Sequence, residues 1–198
     1  MNTRQEKRRS RLVQLLLSCI LVFAVGMALT QFVVWILGVD SKYRFEHGLV
    51  AVLALIVISF LFRPRRKAWL FVLVGLFPCY FGSALPDLDI TFLGIGGHRN
   101  PLFHSCLAYI PLALIFPRLR APVAWAAAGF GIGLGSHLIW DTIDFGDVRW
   151  FPGTAFDKIW LLGNGIFAIA HPIARLWKQQ RARRLRRRLK RQQLGEAF

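Results

Sequence analysis

The sequence predicts an all-α fold: a polytopic membrane helix bundle of about six transmembrane helices, the fourth short or re-entrant. Three observations carry this. The chain has 198 residues, 55% of them hydrophobic, with a net charge of +16 and a mean hydropathy of +0.45. A soluble domain so apolar and so basic is hard to build, whereas a multi-pass membrane protein with basic loops meets both conditions. Apolar runs recur along the chain between short polar links, and the cations concentrate in alternate links.

Residues 1–11 are polar and basic, and a charge-free run over 12–37 follows. A secretory signal has a shorter apolar region of roughly 7–15 residues. This run can span a ~30 Å hydrocarbon core and is expected to be a retained first helix. A polar link over 40–46 leads to His47 and a second run, 48–62, which ends at Arg63, Pro64, Arg65, Arg66 and Lys67; Pro64 helps to break the helix. The third run covers 68–85 and stops at Pro86. The chain re-enters over the short stretch 106–116, closed by Pro117, Arg118 and Arg120.

The fifth run, 122–140, is rich in Ala and Gly. Small side chains let helices approach closely, so it is expected at the centre of the bundle. A polar connection over 141–158, edged by Phe145, Trp150, Phe151 and Phe156, reads as an interfacial loop. The sixth run, 159–176, passes into a strongly basic tail. The expected plan is a basic cytoplasmic N-terminus (1–11), a six-helix membrane domain (12–176) and a basic cytoplasmic tail (177–198). Cys19, Cys79 and Cys106 lie inside apolar runs without CxxC spacing and read as small buried hydrophobes.

Topology supplies an independent check. With the N-terminus in the cytoplasm and six spans threaded, only Lys42, Arg44, Arg99, Arg149 and Lys158 of the 26 lysines and arginines fall outside. That is a strong positive-inside bias, and both termini are expected in the cytoplasm. The same threading carries His47, Asp87, Asp89, His98, His104, His137 and Asp141 to the outer ends of helices, from four separate segments. Ionisable groups near a bilayer are costly unless paired, metal-bound or facing water.

His137 and Asp141 are four apart on one expected helix and share a face. Asp144 continues that face. Asp87 and Asp89, two apart after Pro86, suit extended chain, where both side chains turn the same way. Gly94, Gly96 and Gly97 let the loop bend His98 back, and His104 is expected to begin the short fourth helix. Imidazole with carboxylate suits Zn²⁺, with Mn²⁺ or Fe as alternatives, and seven candidate ligands suit one or two ions. A two-metal pair stabilises the attacking and leaving oxygens of phosphoester hydrolysis. Arg99 is placed to hold a phosphate oxygen through a forked contact, and Asp89 or Asp144 to serve as general base.

The residues PDLD (86–89), HRNPLFHS (98–105), SHLIWD (136–141) and His47-Gly48 resemble the YdjM-like family of inner-membrane-associated metal-dependent hydrolases, over roughly residues 45–145. The resemblance implies that Asp87, Asp89, His98, His104, His137 and Asp141 are metal ligands, with His47 a seventh. It implies a hydrolase of the bacterial inner membrane. The chain departs from the family in a six-residue step from His98 to His104, in Phe103 where Thr is common, and in its first helix and basic tail.

The twelve residues 105–116 make ~18 Å of helix, short of a ~30 Å core. His104 would then lie in a recess below the outer interface, which favours a lipid or lipid-like phosphoester substrate. The basic tail reads as an anchor on anionic lipid; no stacking or recognition motif points to a specific nucleic acid. The alternative is a non-catalytic membrane adaptor with a structural metal site, its tail binding a partner or anionic lipid. Cation transport ranks last, because the inner halves of the spans offer almost no polar groups. His171-Pro172, near the inner interface, reads as a kink or packing element.

Overall fold

The computed structural model describes residues 42–62, 65–144, 148 and 154–195. The basic N-terminus and the first apolar run, 12–37, lie outside the described residues. Among those described the fold is all-helical, with no strand. The α-helices are α1 (Lys42–Phe62), α2 (Arg65–Ala84), α3 (Leu88–Leu93), α4 (Ile110–Ile115), α5 (Ala121–Asp144) and α6 (Ala155–Gly195). Short 3₁₀ turns flank α4 at Leu107–Tyr109 and Phe116–Arg118, and another follows α3 at Ile95–Gly97.

Among the described residues, two stretches are long and apolar enough to cross a membrane: Ala121–Ile143 in α5 and Ala155–Ala182 in α6. The apolar parts of α1 and α2, Glu46–Leu61 and Ala68–Ala84, are shorter, as is Leu107–Arg118. Helix bounds differ from the apolar runs in a consistent way. α1 begins at Lys42, so His47 lies inside the helix, and α5 runs to Asp144, so His137 and Asp141 share one continuous helix. Polar side chains end an apolar run without ending the hydrogen-bonded backbone. For the same reason α6 continues without a break from its apolar half through the basic stretch to Gly195.

α5 is the central element, packed on α1, α2 and α6. Its glycines explain how. A Cβ on Gly129 would strike the Gly75 backbone of α2, and one on Gly133 would strike the Cys79 carbonyl; Gly131 and Gly135 meet Ala168 and Gly165 of α6 in the same way. Glycines four apart thus make two backbone-to-backbone seams on one helix, the close approach expected of small residues. Leu55, Phe71, Phe116 and Ile132 fill the core on one side of these seams. Tyr109, Leu134, Leu138 and Leu161 fill it on the other. Cys79 and Cys106 are buried and unpaired. The outer faces of α1 and α2 leave Leu53, Val57, Leu61, Phe77 and Phe81 exposed.

Candidate metal centre

The seam between α2 and α5 leads directly to the site. Gly129, Gly133, His137 and Asp141 follow at four-residue steps on one face of α5. The glycines bring the backbones together, and one turn further His137 reaches α2, where its Nδ1 lies 2.6 Å from the Ser83 carbonyl. A carbonyl only accepts, so Nδ1 is the donor, and Nε2 of the neutral ring keeps its lone pair facing inward. Nε2 lies 3.1 Å from Asp141 Oδ2 and 3.8 Å from Asp87 Oδ1.

α1 adds His47. Gly48 beside it packs on the Tyr80 ring with no room for a Cβ, which seats α1 close to α2. The His47 ring stacks on that of His137 at 3.9 Å between centroids, with Nε2 3.6 Å from Asp141 Oδ1.

The connection from α2 to α4 supplies the other four. It does not run extended through Asp87 and Asp89 as expected. The N–H groups of Leu88, Asp89 and Ile90 bond to the carbonyls of Leu85, Pro86 and Asp87, turning the chain into α3. With no strand beside it to pair with, this backbone satisfies itself locally. Asp87 precedes the helix and Asp89 lies in its first turn, so the two carboxylates serve different parts of the cluster: Asp87 approaches His137, and Asp89 approaches His98 and His104.

Asp89 is fully buried. Its Oδ2 accepts the Asn100 N–H at 2.9 Å, its Oδ1 lies 3.0 Å from His98 Nδ1, and Oδ2 lies 3.3 Å from His104 Nδ1. Burial alone raises its pKa; the close imidazoles of His104 and His98 and the Asn100 N–H outweigh that and hold the carboxyl well below the usual carboxylate range. Arg99, between His98 and Asn100, has a φ of 62°. This left-handed conformation is costly for a residue with a Cβ, and it turns the chain so that Asn100 reaches Asp89.

His104 does not begin a helix. It sits in a turn, its N–H bonded to the Asn100 carbonyl at 2.8 Å, and helical structure starts only at Leu107. α6 holds this turn from behind. Trp160 Nε1 donates to the His104 carbonyl at 3.1 Å, and Asn164 Oδ1 accepts the Cys106 N–H at 3.0 Å.

All seven sequence-predicted ligands therefore meet in one cluster. Three overlapping groups form within it: His47, His137 and Asp141; Asp87, His104 and His137; and Asp89, His98 and His104, each with its donor atoms within 4.8 Å of one another. His104 links the second and third groups, with Nε2 3.5 Å from Asp141 Oδ2.

The donor set fits a divalent cation. Ligands bonded at about 2 Å to one ion stand roughly 3–4 Å from each other, and the His–Asp separations above lie between 3.1 and 3.8 Å without hydrogen-bond geometry. Both ring nitrogens of His104, Nε2 of His137, Nδ1 of His47 and Oδ2 of Asp87 are buried without a hydrogen-bond partner. Orphaned polar atoms of this kind are costly unless something else binds them.

Asp144 and Arg99 are the two remaining candidates. The side chain of Asp144 lies outside the described residues, although its backbone ends α5. Arg99 is half-buried in the loop beside His98. His171 is remote from the cluster: it packs among Tyr109, Phe116 and Phe167 and lies 3.1 Å from the Tyr109 hydroxyl, as a packing element would.

Ser83, Asn100, Trp160 and Asn164 support the site and were not picked out from sequence. Ser83 and Asn100 act through backbone groups, which leave no trace in residue type. Asn164 did leave one: it is an uncharged polar residue inside the apolar run 159–176. Comparison of the chain with protein-family models, curated proteins and solved structures finds no match.

Proposed function

We propose that the chain is a membrane-bound, metal-dependent hydrolase acting on a phosphoester in a lipid or lipid-like substrate. In this reading it crosses the bacterial inner membrane six times with both termini in the cytoplasm. The His–Asp cluster then opens at the outer face, consistent with the resemblance to the YdjM-like hydrolases. One observation carries the proposal. Seven imidazoles and carboxylates from four chain segments converge, and four of them, His47, Asp87, His104 and His137, carry buried side-chain atoms with no hydrogen-bond partner.

His47, His137 and Asp141, with Asp87, His104, Asp89 and His98, would hold one or two ions, Zn²⁺ first and Mn²⁺ or Fe after it. Such an ion supplies Lewis-acid polarisation of a phosphoryl oxygen and lowers the pKa of water. The chain's own residues do the rest. Ser83 fixes the His137 tautomer, and Asp89 orients His98 and His104. Both Asp89 oxygens are engaged in that work, which suits it to holding imidazoles more than to accepting a proton. Asp144 is left as the proposed general base and Arg99 as the phosphate-holding cation.

The test is hydrolysis of phosphatidic acid and related lipid phosphates by metal-loaded protein in nanodiscs, beside Asp144→Asn and Arg99→Gln. Turnover that falls in both variants supports the assignment.

A second reading rests on burial. Of the seven side chains only His98 reaches the surface, with 25% of its side chain exposed, and a closed site suits a structural ion in a membrane adaptor. Metal that stabilises the fold, with no turnover on any phosphoester, would favour it. In either reading the basic half of α6 is proposed to rest against anionic lipid.

A further inference from the structure

The loop that carries His98 is apolar on its outside. Phe92, Leu93, Ile95 and Leu102 flank His98 within eleven positions, and each is at least half exposed; Phe92 reaches 69% and Ile95 73%. They are not scattered surface residues. Phe92 lies against Phe103 at 6.3 Å between ring centroids, and Gly97 packs directly on Leu93, so α3, the 3₁₀ turn and the following loop form one compact projection. Gly94, with a φ of 72°, turns the chain at its tip. The inner side of the same projection is polar: Asp89 is fully buried against His98 and His104. The projection is therefore amphipathic, with ligands inward and large apolar side chains outward.

We infer that residues 92–102 form a collar that enters the headgroup and upper acyl region of the bilayer, so that the site receives its substrate from the membrane plane: a phosphate ester carried on a long hydrocarbon chain. This rests on the hydrolase reading for its substrate and on the membrane reading for its occupant. Three features select lipid as the occupant. Large apolar side chains are exposed on α1 and α2 as well, Val57, Phe77 and Phe81 among them, as lipid-facing helices require. Arg99 stands in the same loop as a permanent cation, complementary to a phosphate at headgroup depth. His98, the one ligand open to the surface, lies inside this apolar rim. The collar supplies apolar surface for the chain of the substrate, and Arg99 with His98 supplies polar groups for its head.

Spin labelling tests the collar. Ile95→Cys and Leu102→Cys, each in a background with Cys19, Cys79 and Cys106 replaced by Ala, would carry a nitroxide in nanodiscs of phosphatidylcholine and phosphatidic acid. Helix content measured by circular dichroism selects folded variants, and Phe92→Cys is the substitute where one fails. The expected result is strong relaxation by oxygen and weak relaxation by an aqueous nickel reagent, placing the labels below the phosphates. Strong relaxation by the nickel reagent would put the collar in water, and weak relaxation by both would put it under protein; either outcome overturns the inference. Metal content of the same samples separates the two levels: metal-loaded protein with an aqueous collar defeats the collar alone. Metal-free protein with a lipid-immersed collar defeats the hydrolase reading and leaves no substrate for the collar to admit.

Discussion

His137 Nδ1 lies 2.6 Å from the carbonyl of Ser83, fifty-four residues earlier in the chain. This bond joins the helix that carries the HxxxD pair to the helix that leads into Asp87 and Asp89. It leaves Nε2 as the atom facing Asp87 and Asp141. The bond is possible only because Gly133, one turn before His137, lets α5 touch the Cys79 carbonyl one turn before Ser83. Packing and ligand geometry are the same feature at successive turns.

Gly133→Ala is therefore expected to destabilise by about 1–3 kcal/mol, the range for overpacking, and to lower metal retention as well. Gly163, in α6, has open space where a Cβ would be, and Gly163→Ala is expected to be neutral or to stabilise by about 0.4–1 kcal/mol. Thermal unfolding in detergent, with metal content measured beside it, checks the pair.

Much of this arrangement was legible in residue order. The four-residue step from His137 to Asp141 placed both on one helical face, and the Ala and Gly of 122–140 placed that helix at the centre. What was not legible depended on backbone partners. Asp87 and Asp89 looked suited to extended chain because nothing in PDLD reveals that the N–H groups of Leu88 and Asp89 find carbonyls three residues back. His104 looked like a helix start because the apolar run begins two residues later, yet its turn is set by Asn100 and by α6. Helix bounds were hidden for another reason: Asp141 and Lys178 end apolar runs while the helical hydrogen bonds continue past them.

Asn164→Leu removes the acceptor for the Cys106 N–H and keeps the side-chain volume roughly constant. Leaving that donor unpaired is expected to cost about 1–3 kcal/mol. Because the same turn carries His104, metal affinity should fall about 10–100-fold, as for other groups that support a ligand. Unfolding of the metal-free form and metal titration of the same variant separate the two effects.

Asp89 gives a pH dependence with a definite sign. Its carboxyl titrates below the normal range in the folded chain, so its contribution to stability is present above the unfolded value of about 3.9 and is lost as pH falls from there toward the folded value. Metal-free protein is expected to lose stability on that acid limb. Asp89→Asn should be less stable at neutral pH and show a flatter limb. Denaturation midpoints from about pH 6 to pH 2.5 in detergent test this; parallel limbs for the two proteins would contradict it.

Arg99 holds a left-handed backbone that glycine adopts freely. Arg99→Gly is expected to keep or raise stability by up to about 1 kcal/mol while lowering lipid-phosphate turnover about 10²–10³-fold, the scale for losing one group that stabilises developing charge. Melting temperature and turnover measured on one preparation would show the split. Turnover equal to wild type would remove Arg99 from the catalytic assignment.

The most direct measurement is metal content by mass spectrometry on detergent-purified protein, wild type beside Asp87→Ala and His137→Ala. The account predicts about one to two equivalents of Zn, Mn or Fe in the wild type and loss of metal in both variants, with helix content retained. Wild-type protein that holds no metal, even after incubation with each ion in turn, would contradict it.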